Sequence, residues 1–525
     1  MRISGYIPLF FCFCYDNVML LISDIKLKTD HDESDLRRKI EKILHHKLNS
    51  FEIVKRSLDA RKEPLYVYTV LVDIADEDRY LSRNIRKYHK PDLKPEYLKR
   101  NETCIIGGYG PSGIFAAYRL MEAGYRVIVF EKGKRIKERQ KDVERFFTDG
   151  ILDENSNVQF GEGGAGTFSD AKLTTRIKDP YIDYILDIFI RHGAAKQIKY
   201  VNHAHIGTDE VRKVIADITD YLVSKGVEFH FEEEISDLLL SDDRTIKGVK
   251  TAKDTYYCDH LLLGIGHSAY KTVQMLKEKG VFIEKKDIAV GFRVEHDQKL
   301  INERQTSSLI EEANEYFLRY KGEKGVYSFC MCPGGMVIPA MSDNNTIVTN
   351  GMSYAARDSG VANSAILIQI TKDEFTDGYD YLHALEDKAY AYSGSYKALS
   401  QNIADFINGD LKELIFPSTY PLGTVLYDFN NFFSASDLQI IKEALKDFDR
   451  KIHGFIASGI MVGPETRSSS PVRIKRNADY ESINTPRLYP MGEGAGYGGG
   501  IMSCALDGIR IANGLIFNYG KVSEN

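Results

Sequence analysis

The stretch Cys104-Ile-Ile-Gly-Gly-Tyr-Gly-Pro-Ser-Gly113, followed by Val127-Ile-Val-Phe-Glu131, decides the fold of this chain. It predicts a strand, a tight glycine turn, a helix and a second strand that ends in an acid. The glycines of Gly108-x-Gly110-x-x-Gly113 make the turn, let main chain approach a pyrophosphate, and let the helix pack on the sheet. Glu131 follows roughly 20 residues later, where the acid that binds ribose hydroxyls is expected. The unit therefore predicts a dinucleotide site.

Composition and charge bound the class of protein. The chain has 525 residues, enough for about three domains. Its 43% hydrophobic and 27% charged residues are typical of a globular protein. The formal net charge of −6 argues against general nucleic-acid binding and against binding to an anionic membrane. Seven scattered cysteines, without zinc-like spacing, indicate a reduced cytoplasmic chain with no metal site.

The N-terminal segment allows three interpretations. The apolar run at 7–14 is too short to span a bilayer, so we expect no membrane segment. A signal peptide stays open, although no small-residue cleavage site follows. We favour Met19 as the natural start, with a first strand at 19–27 and with residues 1–18 as a disordered extension.

Residues 19–95 predict a small α+β domain. A helix over 32–47 follows the first strand, and Leu65–Val72 predicts a strand from its β-branched and aromatic content. The basic segment 55–62 is predicted as a loop. It is either a solvated turn or a contact for a phosphate or a partner.

A second glycine cluster, Phe160-Gly-Glu-Gly-Gly-Ala-Gly-Thr-Phe-Ser-Asp170, also indicates a ligand site. Small residues let a flat ring or a pyrophosphate lie directly on main chain. From 208 to 267 a second βαβ pattern ends in a strand that stops at Gly264-x-Gly266. No acid-tipped strand follows at the right distance, so we interpret it as a strand of the first fold whose end passes near the phosphates.

The remaining sequence predicts an inserted domain, followed by a final segment that belongs again to the nucleotide-binding domain. Residues 286–450 carry antiparallel hairpin signals and helices, and we interpret them as an inserted α+β cap or substrate domain. Residues 451–525 contain a short strand, Glu493 in a glycine nest and a helix over 501–514. We expect this final strand beside the first one. With 96–285, the segment predicts a discontinuous Rossmann-like α/β domain.

Seven longer motifs carry a family resemblance. They are Phe160–Arg176, Gly264–Ala269, Gly291–His296, Phe329–Gly335, Asn350–Arg357, Glu465–Pro471 and Gly492–Gly500. These motifs resemble the bacterial family usually called uncharacterised FAD-dependent dehydrogenases, within the two-dinucleotide-binding flavoproteins. The resemblance covers the chain from Met19 onward. It implies FAD as the cofactor and does not name a substrate.

The resemblance and the fingerprint together predict the cofactor contacts. They are Gly108, Gly110, Pro111, Ser112, Gly113, Glu131, Lys132, Gly163, Gly164, Gly166, Thr167, Gly264, Gly266, His267, Gly492, Glu493, Gly499, Gly500, Ile501 and Met502. More distant flavoproteins have Asp at the position of Glu493. The helix that begins near 501 would place its N-terminus against the negative charge of a reduced flavin ring.

A few polar residues are candidates for the substrate end of the site. They are Lys172, His267, Arg293, Cys330 and Arg467. Lys172 and Arg293 are the predicted substrate-orienting residues, although Arg293 could instead form a buried ion pair with Glu295 or Glu465. The Cys330-x-Cys332 pair is too closely spaced for an ordinary disulfide and is expected in the core.

Three functions stay open at this point. The first is an FAD-dependent oxidoreductase that transfers hydride between a small-molecule substrate or NAD(P)H and the flavin N5, with quinone as another electron partner. The second is a flavoprotein that acts on RNA through its N-terminal domain, against which the net acidity counts. The third is a non-catalytic FAD-binding interaction or sensor protein.

Overall fold

A computed structural model describes residues 18–59, 63–75, 77–201, 205–305 and 315–518. The predicted extension at 1–18, except Val18, and the end of the predicted basic loop, at 60–62, lie outside the described residues. The chain divides into two compact units. One contains the described residues up to Lys94, with Lys178–Leu186 and the described part of 196–204. The other contains the rest.

The smaller unit is an antiparallel sheet with one helix. Its elements are β1 (Val18–Lys28), α1 (Glu33–Leu44), β2 (Phe51–Asp59), β3 (Leu65–Val72) and β4 (Ile85–His89). The strands lie in the order β2-β3-β1-β4. The side chain of Asp32 caps α1 by accepting from the N–H of Asp35, as the sequence signal at the helix start predicts.

The prediction of a basic loop is wrong for residues 55–59. These residues lie in β2, where Arg56 pairs with Tyr68 of β3. The guanidinium carbon of Arg56 lies 4.6 Å from the centre of the Tyr66 ring. Neighbouring rings hold the basic side chain on an edge strand, an arrangement that composition alone could not distinguish from a charged turn.

The remaining elements start with two βαβ patterns. In chain order they are β5 (Thr103–Gly107), α2 (Pro111–Glu122), β6 (Arg126–Glu131), α3 (Ile136–Asp149), α4 (Tyr181–Arg191), α5 (Thr208–Ser224), β7 (Glu228–Phe231), β8 (Asp237–Leu240), β9 (Ile246–Lys250), β10 (Thr255–Tyr257), β11 (His260–Leu263) and α6 (Tyr270–Glu278). The helix and strand predicted around Gly226 are confirmed as α5 and β7. The strands β8, β9 and β10 form a small antiparallel sheet.

The rest of the chain completes the larger unit. Its elements are β12 (Ile283–Lys285), β13 (Ile288–Asp297), α7 (Gln298–Gln305), β14 (Arg319–Lys321), β15 (Gly325–Cys332), β16 (Met336–Pro339), β17 (Thr349–Met352), β18 (Val361–Ile370), α8 (Gly378–Ser393), β19 (Ala398–Asn402), α9 (Ile403–Asn408), β20 (Thr424–Leu426), α10 (Ala435–Lys451), β21 (Ile460–Glu465), β22 (Val472–Ile474), β23 (Leu488–Pro490) and α11 (Ile501–Asn518). Among the described residues, no helix is both long and apolar enough to cross a bilayer.

A five-stranded parallel sheet carries the fingerprint, in the order β23-β11-β5-β6-β7. Its strands come from widely separated parts of the chain, as a discontinuous Rossmann-like fold requires. The last strand pairs with β11 and not with β5, which corrects the prediction that it lies beside the first strand. All four residues of β11 are buried, so this apolar strand takes the inner position, and the three-residue β23 lies at the edge.

A seven-stranded, mainly antiparallel sheet forms the second layer of the larger unit, in the order β14-β15-β18-β13-β21-β19-β20. The strands β13 and β18 pair along ten residues at its centre. Strand β21 belongs to this sheet although it follows residue 450, where we predicted the inserted domain to end. Its buried apolar run resembles a strand of either sheet, so the sequence did not locate this boundary.

Helix α11 packs closely along α2. It begins at Ile501 as predicted and continues past the predicted end at Gly514. A Cβ atom on Gly508 would lie 2.2 Å from the carbonyl oxygen of Ser112. Glycine at 508 therefore lets the two helices approach, and α11 begins beside the glycine turn of α2.

Candidate functional site

A cavity of about 260 Å³ lies at the carboxyl ends of β5, β6 and β11. Open parallel sheets bind ligands at this edge. Its wall combines the fingerprint turn, the second glycine cluster and the start of α11 with residues of the antiparallel sheet. The three glycine-rich segments that the sequence singled out therefore meet at one cavity.

The turn between β5 and α2 brings main chain to the cavity wall. Gly108 has φ of +92°, and a Cβ atom there would lie 2.3 Å from the carbonyl oxygen of Gly264. Gly110 is the N-cap of α2 and offers no side chain to its first N–H groups. A helix N-terminus without a side-chain cap attracts anions through these N–H groups and its dipole. The turn thus suits a diphosphate.

The carboxylate of Glu131 lies at the end of β6 and also lines the cavity. Its Oε2 accepts the N–H of Tyr109 at 2.8 Å, and its Oε1 accepts the N–H groups of Gly133 and Gly161 at 2.9 Å each. A carboxylate offers about four acceptor positions. Three main-chain donors therefore hold this side chain in place and leave room for one further donor, such as a ribose hydroxyl.

The second glycine cluster lies directly against the first. The N–H of Gly163 donates to the carbonyl oxygen of Tyr109 at 2.9 Å. A Cβ atom on Gly164, whose φ is +64°, would lie 2.9 Å from Cα of Gly110. Glycine at 164 is thus required by the protein itself, whatever the cavity holds.

Arg139 holds this second cluster and was missed by the sequence analysis. Its fully buried guanidinium donates to the carbonyl oxygens of residues 157, 158, 162 and 164, and to Oγ1 of Thr167, over 2.7 to 3.0 Å. Burial lowers the pKa of Arg139 to about 9, and the nearby Glu131 and Glu162 oppose that shift. A signal was present, since Arg139 follows the apolar stripe of α3 at Ile136, Val143 and Phe146.

The third glycine-rich segment places Glu493 and the start of α11 on the wall. A Cβ atom on Gly500, or on Gly266 of the neighbouring loop, would meet nothing within 4 Å. Main chain therefore borders open space at both positions. Burial raises the pKa of Glu493 to about 7, against the opposing effects of Lys286 and the N–H of Gly500.

Most of the predicted cofactor contacts line this cavity. They are Gly108, Gly110, Pro111, Ser112, Glu131, Lys132, Gly164, Gly166, Gly264, Gly266, His267, Glu493, Gly500 and Ile501. The wall does not include Gly113, Gly163, Thr167, Gly492, Gly499 and Met502. Several of these support the wall from behind. A Cβ atom on Gly113, for example, would lie 2.1 Å from the carbonyl oxygen of Gly108.

Two polar residues of the wall have protein partners of their own. The ammonium of Lys132 lies 4.5 Å from the centre of the Phe160 ring and 3.8 Å from a carboxylate oxygen of Glu234. Nδ1 of His267 lies 3.0 Å from Oγ of Ser268. Burial, and secondarily the charge of Arg467, lowers the pKa of His267 to about 4, so its imidazole is neutral near pH 7.

Lys172, a predicted substrate-orienting residue, lies on the cavity wall among charged neighbours. Its ammonium donates to the carbonyl oxygen of Met331 and lies 3.2 Å from Glu315 and 3.7 Å from Asp170. Burial lowers the pKa of Lys172, but these two acids outweigh it and raise the net value. Lys172 therefore stays charged and already has partners.

Arg293, the other predicted substrate-orienting residue, is not part of the wall. Its Nε and Nη2 donate to the two carboxylate oxygens of Glu465 at 2.6 and 3.2 Å. Nη1 donates to the carbonyl oxygen of Cys330 and to Asn363, and Nη2 also donates to Asn350. These bonds account for all five N–H donors of a guanidinium. The structure thus makes Arg293 a buried partner of Glu465 that positions wall residues.

Arg467 reaches the wall with its charge already compensated. Its guanidinium donates to both carboxylate oxygens of Glu386, at 3.0 and 2.7 Å. It also donates to Ser342 and to Asp343 at 2.5 and 2.8 Å. Like Arg293, it organises the wall and does not present an uncompensated cation to the cavity.

Comparison with known proteins identifies the family of the chain. Residues 287–468 match the family described as FAD-dependent protein, C-terminal domain-like. A Clostridium beijerinckii protein described as uncharacterized is 39% identical over 532 residues, which span 95% of this chain and 98% of that protein. The chain belongs to this family of FAD-dependent proteins. Residues 19–73 of the present chain also match a domain of unknown function.

Three solved structures show partial likeness to this chain at low identity. An oxidoreductase from Methanosarcina mazei shares 11% identity with a TM-score of 0.32, over 78% of this chain and 100% of that one. L-amino acid deaminase from Proteus vulgaris shares 11% with a TM-score of 0.32, over 82% and 96%. CtdE in complex with FAD shares 10% with a TM-score of 0.31, over 79% and 88%. Likeness at this level identifies neither a ligand nor a reaction.

Proposed function

We propose that this protein binds FAD and is an oxidoreductase that transfers hydride between a small-molecule substrate, or NAD(P)H, and the flavin N5. One observation carries the proposal. The glycine turn at the ends of β5 and β11 lines the same cavity as Lys172, Arg467 and Cys330. A surface suited to a nucleotide and a polar, charged surface thus share one cavity, in a chain whose residues 287–468 match a family described as FAD-dependent.

The residues present fit FAD. The uncapped N-terminus of α2 suits the diphosphate, and Glu131 retains an acceptor position for a ribose hydroxyl. At Gly266 and Gly500 the main chain borders open space that a Cβ atom would enter, so a flat ring can lie directly on it.

FAD, when bound, supplies the hydride chemistry, and the protein supplies orientation and electrostatics. The turn at Gly108–Gly110 holds the diphosphate end. The N-terminus of α11 at Ile501 lies on the wall, where its dipole favours negative charge on a bound ring. Neutral His267 can donate or accept one hydrogen bond there without adding charge.

The paired charges of the wall bear on the substrate. Lys172 faces Glu315 and Asp170, and Arg467 faces Glu386. Because both cations already have acidic partners, they contribute little uncompensated positive charge. The proposed substrate is therefore a neutral or weakly charged small molecule, with NAD(P)H or a quinone as the proposed electron partner.

Reconstitution tests the cofactor proposal. Purified full-length protein incubated with FAD should turn yellow and retain about one FAD per chain after desalting. Gly110→Val should lose most of that FAD while staying folded, because the new side chain occupies the diphosphate turn. Gly325→Val is the matched control, since Gly325 lies in β15 and a Cβ atom there meets only Gln369, at 3.6 Å. Folded wild type without FAD, or equal FAD content in the Gly110 variant, contradicts the proposal.

Reduction kinetics test the oxidoreductase proposal. Anaerobic mixing of the FAD-loaded protein with NADH, NADPH and a panel of small metabolites should bleach flavin absorbance near 450 nm with at least one donor. Failure with every donor would favour the sensor alternative.

The RNA alternative gains no support from β2, where Arg56 is stacked on Tyr66. A salt-dependent RNA shift, lost on changing Lys55 and Arg56 to Glu, would restore that alternative.

A further inference from the structure

A β-bulge interrupts β15 where it borders the cavity. Phe329 pairs with Ala365 of β18, and Cys332 pairs with Asn363, so three steps along β15 match two along β18. Cys330 lies at the bulge with φ of +44°, a left-handed conformation that residues other than glycine rarely adopt. Bulges of this kind re-aim side chains and are frequent beside active sites.

The bulge separates two cysteines by exposure and keeps them in contact. Cys330 is half-buried and lines the cavity, whereas Cys332 is fully buried behind it. The thiol of Cys332 donates to the carbonyl oxygen of Cys330 at 3.3 Å, so its sulfur lies against the residue that carries the first thiol. One thiol thus meets the cavity and a second lies within reach of the first.

Two cations, the buried Arg293 and the half-buried Lys172, hold the main chain of this bulge. Arg293 donates to the carbonyl oxygen of Cys330 at 2.8 Å, and Nη1 lies 4.0 Å from Sγ of Cys332. Lys172 donates to the carbonyl oxygen of Met331, the residue between the two cysteines. Neighbouring cations stabilise a thiolate, which is the reactive form of cysteine, and the acidic partners of Arg293 and Lys172 reduce this effect without removing it.

We propose that this pair is a thiol–disulfide exchange site, in which Cys330 attacks a small-molecule disulfide and Cys332 resolves the product. The Cys330 thiolate forms a bond to one sulfur of the substrate, whose S–S bond breaks and releases one thiolate. Cys332 then loses its proton and bonds to Cys330, which displaces the second thiolate. The pair is oxidised by two electrons, and the substrate is reduced to two thiols once each thiolate takes up a proton.

This inference rests on the proposed function for its turnover, because bound FAD, once reduced by NAD(P)H, would supply the two electrons that reopen the Cys330–Cys332 bond. A disulfide across a single intervening residue departs from the ordinary geometry, which needs Cα atoms about 4.4–6.8 Å apart and a Cβ–S–S–Cβ dihedral of about ±90°. A bond within Cys330-x-Cys332 would be strained, and strained disulfides are readily reduced and often catalytic.

The electrostatics of the site support a thiolate at Cys330. The neighbouring thiol of Cys332 lowers the pKa of Cys330 below its ordinary value; burial opposes this shift, and the charges of Arg293 and Lys172 favour it. The pKa of Cys332 is raised correspondingly. The acidic groups that face Cys330 from the neighbouring elements, and oppose the thiolate, are Asp170, Glu465 and Glu493.

Another cysteine of the same wall provides a matched control. Cys504 of α11 lines the cavity but is buried, and burial raises its pKa above the ordinary value. Like Cys330 it lies on the cavity wall, but it is more buried, and of the described residues neither a second thiol nor the cations Arg293 and Lys172 are among the main influences on its pKa.

The test is reaction of the reduced full-length protein with a chromogenic aryl disulfide, under anaerobic conditions, with and without bound FAD. Wild type should release two coloured thiols per chain in a fast phase whose rate rises with an apparent pKa below the ordinary value of a cysteine thiol. Mass spectrometry of the digested protein should then find Cys330 bonded to Cys332. Peptide mapping separates this pair from the other cysteines of the chain, Cys12 and Cys14 included.

The variants divide the two steps. Cys330→Ser should abolish the fast phase, and Cys332→Ala should release one thiol and leave a stable mixed disulfide at Cys330. Cys504→Ser should keep the full fast phase. A wild type with no Cys330–Cys332 bond, or a fast phase that survives Cys330→Ser, overturns the proposal even if Cys332→Ala does not fold. Because the flavin-free arm reports exchange alone, a failure to bind FAD would leave this result unaffected.

Discussion

The cavity has two ends that are built in different ways. At the glycine end, formed by Gly108–Ser112, Gly164, Gly266 and Gly500, main chain makes the wall. At the cysteine end, side chains from several separate segments make the wall, namely Cys330, Lys172 and Glu465, and the buried Arg293 supports Glu465 from behind. The first end depends on short local patterns, and the second depends on which strands become neighbours.

The difference has an energetic consequence. At the glycine end the structure excludes side chains, because a Cβ atom at Gly108 or Gly113 would overlap main-chain oxygens. At the cysteine end it buries charges, each of which is compensated by a partner such as Glu465. A side chain added at the glycine end is therefore expected to destabilise the protein by steric overlap. At the cysteine end, removal of a charged partner is expected to destabilise it by leaving a buried charge uncompensated.

The largest expected effect separates glycines that the fold requires from glycines that a ligand requires. Gly108→Ala should cost more than about 3 kcal/mol in free energy of unfolding, because its Cβ atom overlaps Gly264 and φ is positive. Gly110→Ala should stay within about 1 kcal/mol of wild type, since its Cβ atom meets only Gly164, at 3.8 Å. Urea unfolding of flavin-free proteins measures both. Equal stability of the two variants would contradict this distinction.

Arg139→Met should have the next largest effect. Its loss leaves four buried carbonyl oxygens without their donor, and hydrogen bonds to charged groups contribute about 1.5–3 kcal/mol each. We expect at least about 3 kcal/mol of destabilisation and lower FAD retention. Arg145→Met on the same helix is the control, because that half-exposed side chain should contribute about 0.5 kcal/mol or less. Similar losses in both variants would show that Arg139 does not hold the glycine cluster.

The free energy of unfolding should depend on pH through Glu493, which lies on the cavity wall. Its folded pKa of about 7 lies above its ordinary value, so the folded state binds more protons than the unfolded state between roughly pH 4.5 and 7. The contribution of Glu493 to stability is therefore complete below that window and is lost as pH rises through 7. Flavin-free wild type should lose more stability than Glu493→Gln between pH 5 and 8. Parallel pH profiles would exclude this shift.

The smallest expected effect probes backbone strain at the cysteine end. Cys330→Gly should keep or raise the free energy of unfolding, by up to about 1 kcal/mol, because glycine adopts a φ of +44° without steric cost. Cys332→Gly, at a position without a positive φ, should be destabilising. Thermal unfolding of the two variants compares them directly. A destabilising Cys330→Gly would show that the thiol contributes more to packing than the strain costs.

The sequence predicted the glycine end well and the cysteine end poorly. The strand–turn–helix–strand unit at 103–131, the helix and strand around Gly226 and the start of α11 at Ile501 are confirmed. Their signals come from residues a few positions apart, since caps, turns and hydrophobic periodicity are local. The position of β23 beside β11 and the inclusion of β21 in the antiparallel sheet were not predicted, because both follow from competition among apolar strands for burial.

The sequence by itself determined that the chain contains a dinucleotide-type turn, a second glycine cluster and a late glycine nest around Glu493. Only the tertiary structure decided that Arg139 holds the second cluster, that Arg293 is a buried partner and not a wall residue, and that a bulge exposes Cys330. The physical reason is how far apart along the chain the interacting residues lie. Conformation at a glycine turn depends on its neighbours in the chain, whereas burial, charge compensation and strand register depend on contacts between residues that can lie more than 100 positions apart.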